Sequence, residues 1–271
     1  MHGRQLLDHL KNGNRIYGSA IISASPLWPA VVKQAGLDFV FIDTEHVPQD
    51  LTTLAGMCQL YRALGLPPIV RIHSINPYDA CRVLDSGATG ILVPYVETVE
   101  QVKSMVGATK LRPLKGRRLE KILNDTNSME KVLKEYIEAR NVNNILMINI
   151  ESVPAMENLD DILAVPGLDA VIIGPHDLSC SMGLPEDYQN PTFLAAVQKI
   201  ISKVREKDLS VGIHFSEQPE VQIKMAEMGA NIILHSSDIS LYGKALKGEI
   251  SVIRKALKDE KKVKEAKDHV I

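Results

Sequence analysis

The chain has 271 residues, 45% of them hydrophobic, and its 31 basic and 33 acidic residues leave a net charge of -2. This length and composition can bury the core of a sizeable globular domain, and the nearly neutral balance offers no cationic field for nucleic acid or anionic lipid. The three cysteines, Cys58, Cys81 and Cys180, form no CxxC pair, which argues against a disulfide framework or a zinc cluster.

The N-terminal segment, residues 1–14, is polar and charged, and no apolar run in the chain has the length of a membrane span. We therefore expect neither secretion nor membrane insertion. A cytoplasmic location, where cysteines stay reduced, fits this composition best.

Short apolar runs rich in Val and Ile alternate with longer amphipathic stretches along most of the chain. The predicted strands are Ile16–Ile22, Phe39–Asp43, Pro68–Ile72, Gly90–Pro94, Ile145–Ile150, Ala170–Gly174, Ser210–Phe215 and Asn231–Ser236. Several are apolar throughout, as strands covered on both faces are. Eight such βα units predict an α/β fold, a single (β/α)8 TIM barrel domain over residues 1–271. A doubly wound open sheet is the alternative, but no GxGxxG follows any strand.

Two segments depart from this rhythm. Between residues 111 and 129, Pro113, Gly116 and an Asn/Asp-rich stretch replace apolar periodicity, which predicts a functional loop or lid. Residues 255–271 are dominated by Lys, Glu and Asp, and we expect a charged C-terminal helix or tail there.

Polar side chains directly follow most of the predicted strands. In a barrel of this kind, ligands bind at the C-terminal ends of the strands, so these residues are the first candidates for a site. They are Asp43, Glu45, His46, Arg71, Glu151, His176, Asp177, His214, His235 and Asp238.

Two of these carboxylates follow neighbouring strands. Together, Glu151 and Asp177 offer hard oxygen ligands suited to Mg2+ or Mn2+. The alternative is that each caps the N-terminus of the helix behind it, which is the commoner role for an isolated acid at such a place. The metal interpretation therefore depends on the two lying together.

Three further residues each have a functional and a structural interpretation. Arg71 ends an otherwise apolar strand, so its guanidinium must find an anionic or carbonyl partner; the structural alternative is an ion pair with Asp43 or Glu45. His46 has the titration range of a general acid or base near neutrality, although a lone histidine is more often structural. Asp85, in LDSG, stands where an acid ordinarily belongs to a helix C-terminus.

Five motifs in this order resemble the HpcH/HpaI family of class II, metal-dependent pyruvate aldolases. They are GLDFVFIDTEHVPQD, PPIVRIHSINP, VLDSGATGILVPYVET, the glutamate of INIES, and AVIIGPHDLSCSMG. The resemblance extends from the first predicted strand to Asp238. Members of the family include aldolases for 4-hydroxy-2-oxoheptanedioate and 2-dehydro-3-deoxyglucarate.

The resemblance implies a role for each of five residues. It implies that Glu151 and Asp177 are the metal ligands, and that His46 and Asp85 form an acid–base dyad. It implies that Arg71 binds the C2 oxygen of the substrate. Each position except Asp85 is also a strand-end candidate on the residues alone.

The turn that begins at residue 174 is a candidate substrate-binding segment. It opens a helix or turn whose free main-chain amides can hold a carboxylate. The resemblance likewise implies that the amides around His176 and Asp177 receive the substrate carboxylate. The substrate-binding residues implied here are Gly174, Pro175, His176 and Asp177, together with Arg71.

The implied activity is a reversible retro-aldol cleavage of a 4-hydroxy-2-oxo acid to pyruvate and an aldehyde, through an enolate stabilised by Mg2+, Mn2+ or Co2+. No lysine ends any predicted strand, which argues against a Schiff-base aldolase. The expected partners are a small 2-oxo acid and an aldehyde, with neither nucleic acid nor membrane. Family members commonly form trimers or dimers of trimers that exchange the final helix, so a homo-oligomer, trimer or hexamer, is implied.

Two alternatives remain open. One is a lyase for CoA thioesters of the citramalyl-CoA or malyl-CoA type, which shares the barrel and the enolate chemistry. The other is a barrel that binds a metal and an oxo acid without turnover. The chain also departs from the family where many members have an Arg-Gly-x-Gly stretch and this chain has KGRRLEKILND, so the sequence does not define the aldehyde.

Overall fold

Eight parallel strands form one sheet that closes on itself into a barrel, as the alternation of apolar runs predicts. The structure is a computed structural model, which describes residues 1–216 and 218–259. Its strands are β1 (Ile16–Ala20), β2 (Phe39–Asp43), β3 (Pro68–Arg71), β4 (Gly90–Val93), β5 (Ile145–Ile150), β6 (Ala170–Ile173), β7 (Ser210–Phe215) and β8 (Ile232–Ser237). Every predicted strand is confirmed, with ends displaced by no more than two residues.

Helices follow the strands and surround the sheet. They are α1 (Gly3–Lys11), α2 (Trp28–Gln34), α3 (Leu51–Ala63), α4 (Pro77–Asp85), α5 (Val99–Lys110), α6 (Gly116–Asn124), α7 (Lys131–Asn141), α8 (Val153–Glu157), α9 (Leu159–Leu163), α10 (Pro175–Ser181), α11 (Pro191–Glu206), α12 (Pro219–Glu227) and α13 (Asp238–Ala256). Several begin with proline, whose missing N–H costs nothing in the first turn. Asn76 and Asn190 cap two such helices by accepting hydrogen bonds from main-chain amides.

The barrel interior is filled at the end where the strands begin. Leu6, Leu7 and Leu10 of α1 are buried in one apolar cluster with inward-facing strand residues such as Phe39. A side chain at Gly18 would collide with the Phe39 ring, because a Cβ there would lie 2.3 Å from it. We call this filled end the closed end, and the opposite end, where the strands finish, the mouth.

The segment between residues 111 and 129 is not the loop or lid that its composition predicts. It contains α6 and a 3-10 turn over Thr126–Ser128. The apolar residues Leu119 and Leu123 of α6 pack near Gly107 of α5, so the helix is anchored to the barrel wall. The segment joins the end of α5 to the approach of β5, which places it at the closed end, where it cannot cover the mouth of its own chain.

The last described helix contrasts with the others in its exposure. Asp238 is the single buried residue of α13, whereas Ile239, Tyr242 and Val252 are among its exposed apolar side chains. The charged segment 255–271 is helical up to Ala256, and residues 260–271 lie outside the described part of the chain. No helix in residues 1–216 or 218–259 combines the length and apolarity needed to cross a membrane.

Candidate active site at the mouth of the barrel

A cavity of about 760 Å³ opens at the mouth. Its lining includes most of the predicted site residues, because the strand ends bring together segments that are far apart in the sequence. The predicted residues that line it are His46, Arg71, Glu151, Gly174, Pro175, His176 and Asp177. The cavity thus gathers every residue to which the resemblance assigns a role except Asp85. Of the other strand-end candidates, His214 also lines it, whereas His235 lines a separate groove.

Arg71 is fixed by two carboxylates at the edge of this cavity. Its Nε and Nη2 donate to the two oxygens of Asp43 at 2.9 and 2.5 Å, and Nε lies 3.1 Å from Oε2 of Glu45. The ion pairs that formed the structural alternative are therefore present. Nη1 makes no hydrogen bond within the described residues, so one edge of the guanidinium is free to bind a ligand.

The two carboxylates beside Arg71 have opposite pKa shifts. Burial tends to raise the pKa of Asp43, but the hydrogen bonds and the charge of Arg71 outweigh it and hold the pKa below its ordinary value. For Glu45, burial dominates and raises the pKa, although Arg71 opposes it. Asp43 is thus the main counterion of Arg71.

Glu151 is buried with one of its two oxygens unpartnered. Oε1 accepts a hydrogen bond of 2.7 Å from the main-chain amide of Tyr95, whose φ of 52° places it in the left-handed region. Oε2 has no partner among the described residues. Burial raises the pKa of Glu151 to about 7, and Asp177 contributes to the shift through its charge. A Cβ at Gly174 would lie 2.2 Å from Oε2, so glycine is needed there to make room for the carboxylate.

These observations fit a divalent cation. An unpartnered, buried carboxylate oxygen is costly unless a cation or proton compensates it. Asp177, whose side chain is 33% exposed, stands close by at the start of α10. In residues 1–216 and 218–259, no three His, Cys, Asp or Glu side chains form a metal cluster. The site therefore offers two carboxylates, which suits an ion that keeps water or substrate oxygens, as Mg2+ does.

The turn predicted to bind the substrate carboxylate forms the first turn of α10. Gly174 is the N-cap residue, and Pro175 and Asp177 lie in the first turn. His176 Nδ1 lies 3.7 Å from the Asp177 carboxylate. The predicted anion-binding role of these amides stays a prediction.

His46 and Asp85, the implied dyad, lie at opposite ends of the barrel. His46 follows β2 at the mouth, with Nε2 3.6 Å from Glu45. Asp85 ends α4, and the nearby Thr89 amide donates to the Pro68 carbonyl at the start of β3, which places this region at the closed end. Asp85 pairs there with Arg112. Within one chain, the two residues do not meet.

Several polar residues of the cavity have no role assigned from the sequence, among them Asn149 and His214. Asn149 lies on β5, two positions before Glu151; it is buried, and its Oδ1 has no partner among the described residues. Its position inside an apolar run, on the same strand face as Glu151, is the signal that could have identified it. The sequence marks His214 only as a strand-end residue. Burial lowers its pKa to about 4, and its Nε2 lies 3.2 Å from the Ser236 carbonyl.

A closed barrel whose strand ends bring acidic and basic side chains around one cavity is typical of enzymes that bind small molecules at the C-terminal ends of the strands. A family comparison then narrows this class. Residues 21–245 match the model of the HpcH/HpaI aldolase/citrate lyase family. The chain belongs to this family, which confirms the resemblance of its motifs.

Individual relatives agree with this membership. A 2-keto-3-deoxy-L-rhamnonate aldolase from Klebsiella pneumoniae is 31% identical over 245 residues, which cover 90% of this chain and 91% of the relative. An HpcH/HpaI aldolase structure from Desulfitobacterium hafniense has a TM-score of 0.80 at 26% identity, covering 92% of this chain and 96% of that one. The structure of the citrate synthase SbnG has a TM-score of 0.79 at 30% identity, covering 94% of this chain and 99% of that one.

Proposed function

We propose that this protein is a class II aldolase that cleaves a 4-hydroxy-2-oxo acid to pyruvate and an aldehyde, reversibly, with Mg2+, Mn2+ or Co2+. One observation carries the proposal: the free oxygen of Glu151 and the free edge of Arg71 line the same cavity. A cation ligand and an oxyanion donor are what enolate chemistry needs at one place. The relatives named as aldolases agree with this reaction class.

Glu151 and Asp177 would hold the cation. When bound, it would polarise the C2 carbonyl and the carboxylate of the 2-oxo acid. Arg71 donates from Nη1 to the C2 oxygen, while Asp43 keeps the guanidinium in place. The amides at the start of α10 receive the substrate carboxylate.

His46 acts as the proton acceptor for cleavage. It removes the C4 hydroxyl proton, the C3–C4 bond breaks, the aldehyde leaves, and protonation at C3 gives pyruvate. His46 is partly exposed at the mouth, where an incoming hydroxyl can reach it. Since Asp85 of the same chain lies at the closed end, an acid–base dyad requires Asp85 from a second copy.

This dyad can be tested by subunit mixing. His46→Ala and Asp85→Ala homo-oligomers are each expected to be weakly active. Co-refolding the two variants should restore activity, because some sites would then combine an intact His46 with an intact Asp85. No restoration in verified mixed oligomers would remove Asp85 from the site.

The final helix supports the expectation of a homo-oligomer. In a typical barrel each helix covers its own strand, yet α13 leaves its apolar side chains exposed. The outer face of β1 and β8 carries an apolar groove of about 550 Å³ lined by Tyr17, Ile223 and Ile233, among others. We infer that α13 packs on a neighbouring copy in a trimer or hexamer. Leu246→Glu should yield monomers in light scattering, whereas a single species of unchanged mass would contradict this arrangement.

The first test of the reaction needs no aldehyde. Protein freed of metal by chelation is incubated with pyruvate in D2O, and the methyl proton signal is followed by NMR before and after Mg2+ or Mn2+ is added. We expect exchange to depend on the metal. Absence of exchange with every metal would contradict the aldolase proposal and favour the CoA-thioester lyase or the non-catalytic binder, which assays with CoA esters would then separate.

A further inference from the structure

The loop between α10 and α11 brings two carboxylates to the outer end of the cavity. Glu186 and Asp187 both line it. Exposure increases from Glu151, at 2%, to the Asp177 side chain, at 33%, and the Glu186 side chain, at 70%. This gradient places Glu151 at the floor and Glu186 at the rim.

The backbone of Glu186 is held in an unusual conformation. Its φ is 58°, in the left-handed region that residues other than Gly and Asn seldom adopt. The Glu186 amide donates to Oγ of the buried Ser179 at 3.1 Å, and that Oγ donates to the His176 carbonyl at 2.8 Å. Such a conformation persists only where surrounding contacts fix it. These bonds to α10 therefore hold Glu186 at the rim, 3.7 Å from His176 Nε2.

Negative charge is in excess at the rim of the cavity. Arg71 is the only lysine or arginine among the described residues that line it, and Asp43 and Glu45 already pair with this side chain. A divalent cation at the floor would offset the two carboxylates there. The acids of the rim, Glu186 and Asp187, have no lysine or arginine partner among the described residues.

We propose that Glu186 selects the aldehyde by its charge, so that this enzyme takes uncharged aldehydes in preference to aldehydes that carry a carboxylate. The inference rests on the proposed aldolase function. With the 2-oxo acid held at the floor, the aldehyde portion of the substrate must extend towards the rim. A second carboxylate there would face Glu186, and repulsion between unit charges several ångströms apart in a solvent-exposed site corresponds to roughly a 3- to 10-fold loss of reactivity.

The test compares two aldehydes of similar size, 4-oxobutanoate and its uncharged methyl ester, in aldol addition to pyruvate by the Mg2+-loaded enzyme. The wild type should prefer the ester in kcat/KM by roughly 3- to 10-fold, mainly through KM. Glu186→Gln should reduce this preference several-fold, and Glu186→Lys should reverse it. Raising the salt concentration to 0.5 M should shrink the wild-type preference, because exposed charges are screened. A matched control, Glu120→Gln on the exposed surface of α6, should leave the ratio unchanged.

A wild-type preference for 4-oxobutanoate, or one ratio shared by all the Glu186 variants, would overturn the inference. Metal-dependent deuterium exchange of pyruvate, measured on the same preparation, distinguishes this failure from failure of the proposed function. Exchange together with an unexpected ratio would remove only the role of Glu186. Absence of exchange would remove the aldolase function and this inference with it.

Discussion

The two ends of the barrel carry charged residues in opposite arrangements. At the closed end, Lys110 binds Asp169 at 2.5 Å and Arg112 pairs with Asp85, so opposite charges are matched. At the mouth, Glu151 is buried with a free oxygen. Burying an uncompensated polar group costs stability, and such costs concentrate at functional sites. Paired charges stabilise the fold at both ends, as Arg71 with Asp43 does at the mouth, whereas the unpartnered oxygen of Glu151 is the arrangement expected where a ligand binds.

The largest expected effect comes from removing the charge of Glu151. Glu151→Gln should lower aldolase activity by more than the roughly 10²- to 10³-fold that accompanies loss of one oxyanion donor. We expect Mg2+ to raise the melting temperature of the wild type, and Glu151→Gln should abolish this rise. Without metal, the variant should be no less stable than the wild type, because an uncompensated buried acid is replaced by an amide. A retained Mg2+ effect on the melting temperature would contradict a ligand role for Glu151.

Arg71→Ala should cut kcat/KM by roughly two to three orders of magnitude, the usual scale for an oxyanion donor. Metal binding should persist, since no proposed ligand is lost, and calorimetry with Mn2+ can check this. Arg140→Ala, an exposed substitution on α7, is the matched control. Near-normal turnover of Arg71→Ala would mean that the Asp43 ion pair is purely structural.

At the closed end, the prediction concerns stability. Lys110 Nζ binds both Asp169 and the Asn144 carbonyl at 2.5 Å, and its side chain is mostly buried. Lys110→Met should therefore lower the free energy of unfolding by about 2–3 kcal/mol while leaving kcat/KM unchanged. Lys134→Met, which removes an exposed pair with Glu138, should cost less than about 0.5 kcal/mol. Equal urea midpoints for the two variants would contradict the contrast between the ends.

The effect that is smallest at neutral pH is on stability through His214, and it grows only as the solution is acidified. Burial holds its folded-state pKa at about 4, below the ordinary value of 6.5. Because the pKa is lowered, the stabilising contribution of the neutral ring is complete above pH 6.5 and is lost as the pH falls towards 4, by about 1.4 kcal/mol per pH unit at most. His214→Gln should flatten this part of the stability profile in urea titrations. An identical slope in both proteins would mean that His214 is not buried neutral.

The sequence predicts the barrel well because a strand covered on both faces must be apolar throughout, as Ile145–Ile150 is. It fails for residues 111–129, since Pro113 and Gly116 suggested a loop. The apolar spacing of Leu119, Ile122 and Leu123 was the helical signal in that segment.

Prediction of the site follows the same logic. Strand ends place Arg71 and Glu151 at the mouth, because parallel strands finish at one end of a barrel. The amide of Tyr95 that holds Glu151 carries no side-chain signal. The sequence also gives no sign that Glu186 lies at the cavity, because its position depends on a backbone conformation that composition does not reveal.

Closure of the sheet also determines how this protein can aggregate. Each strand from β1 to β8 is paired on both sides, so the barrel leaves no sheet edge to template strand addition from another chain. The apolar surface that remains, on α13 and outside β1 and β8, offers side chains rather than main-chain hydrogen bonds. Association of the folded protein through this surface should therefore be reversed by dilution, and fibrils should form only after the barrel has unfolded.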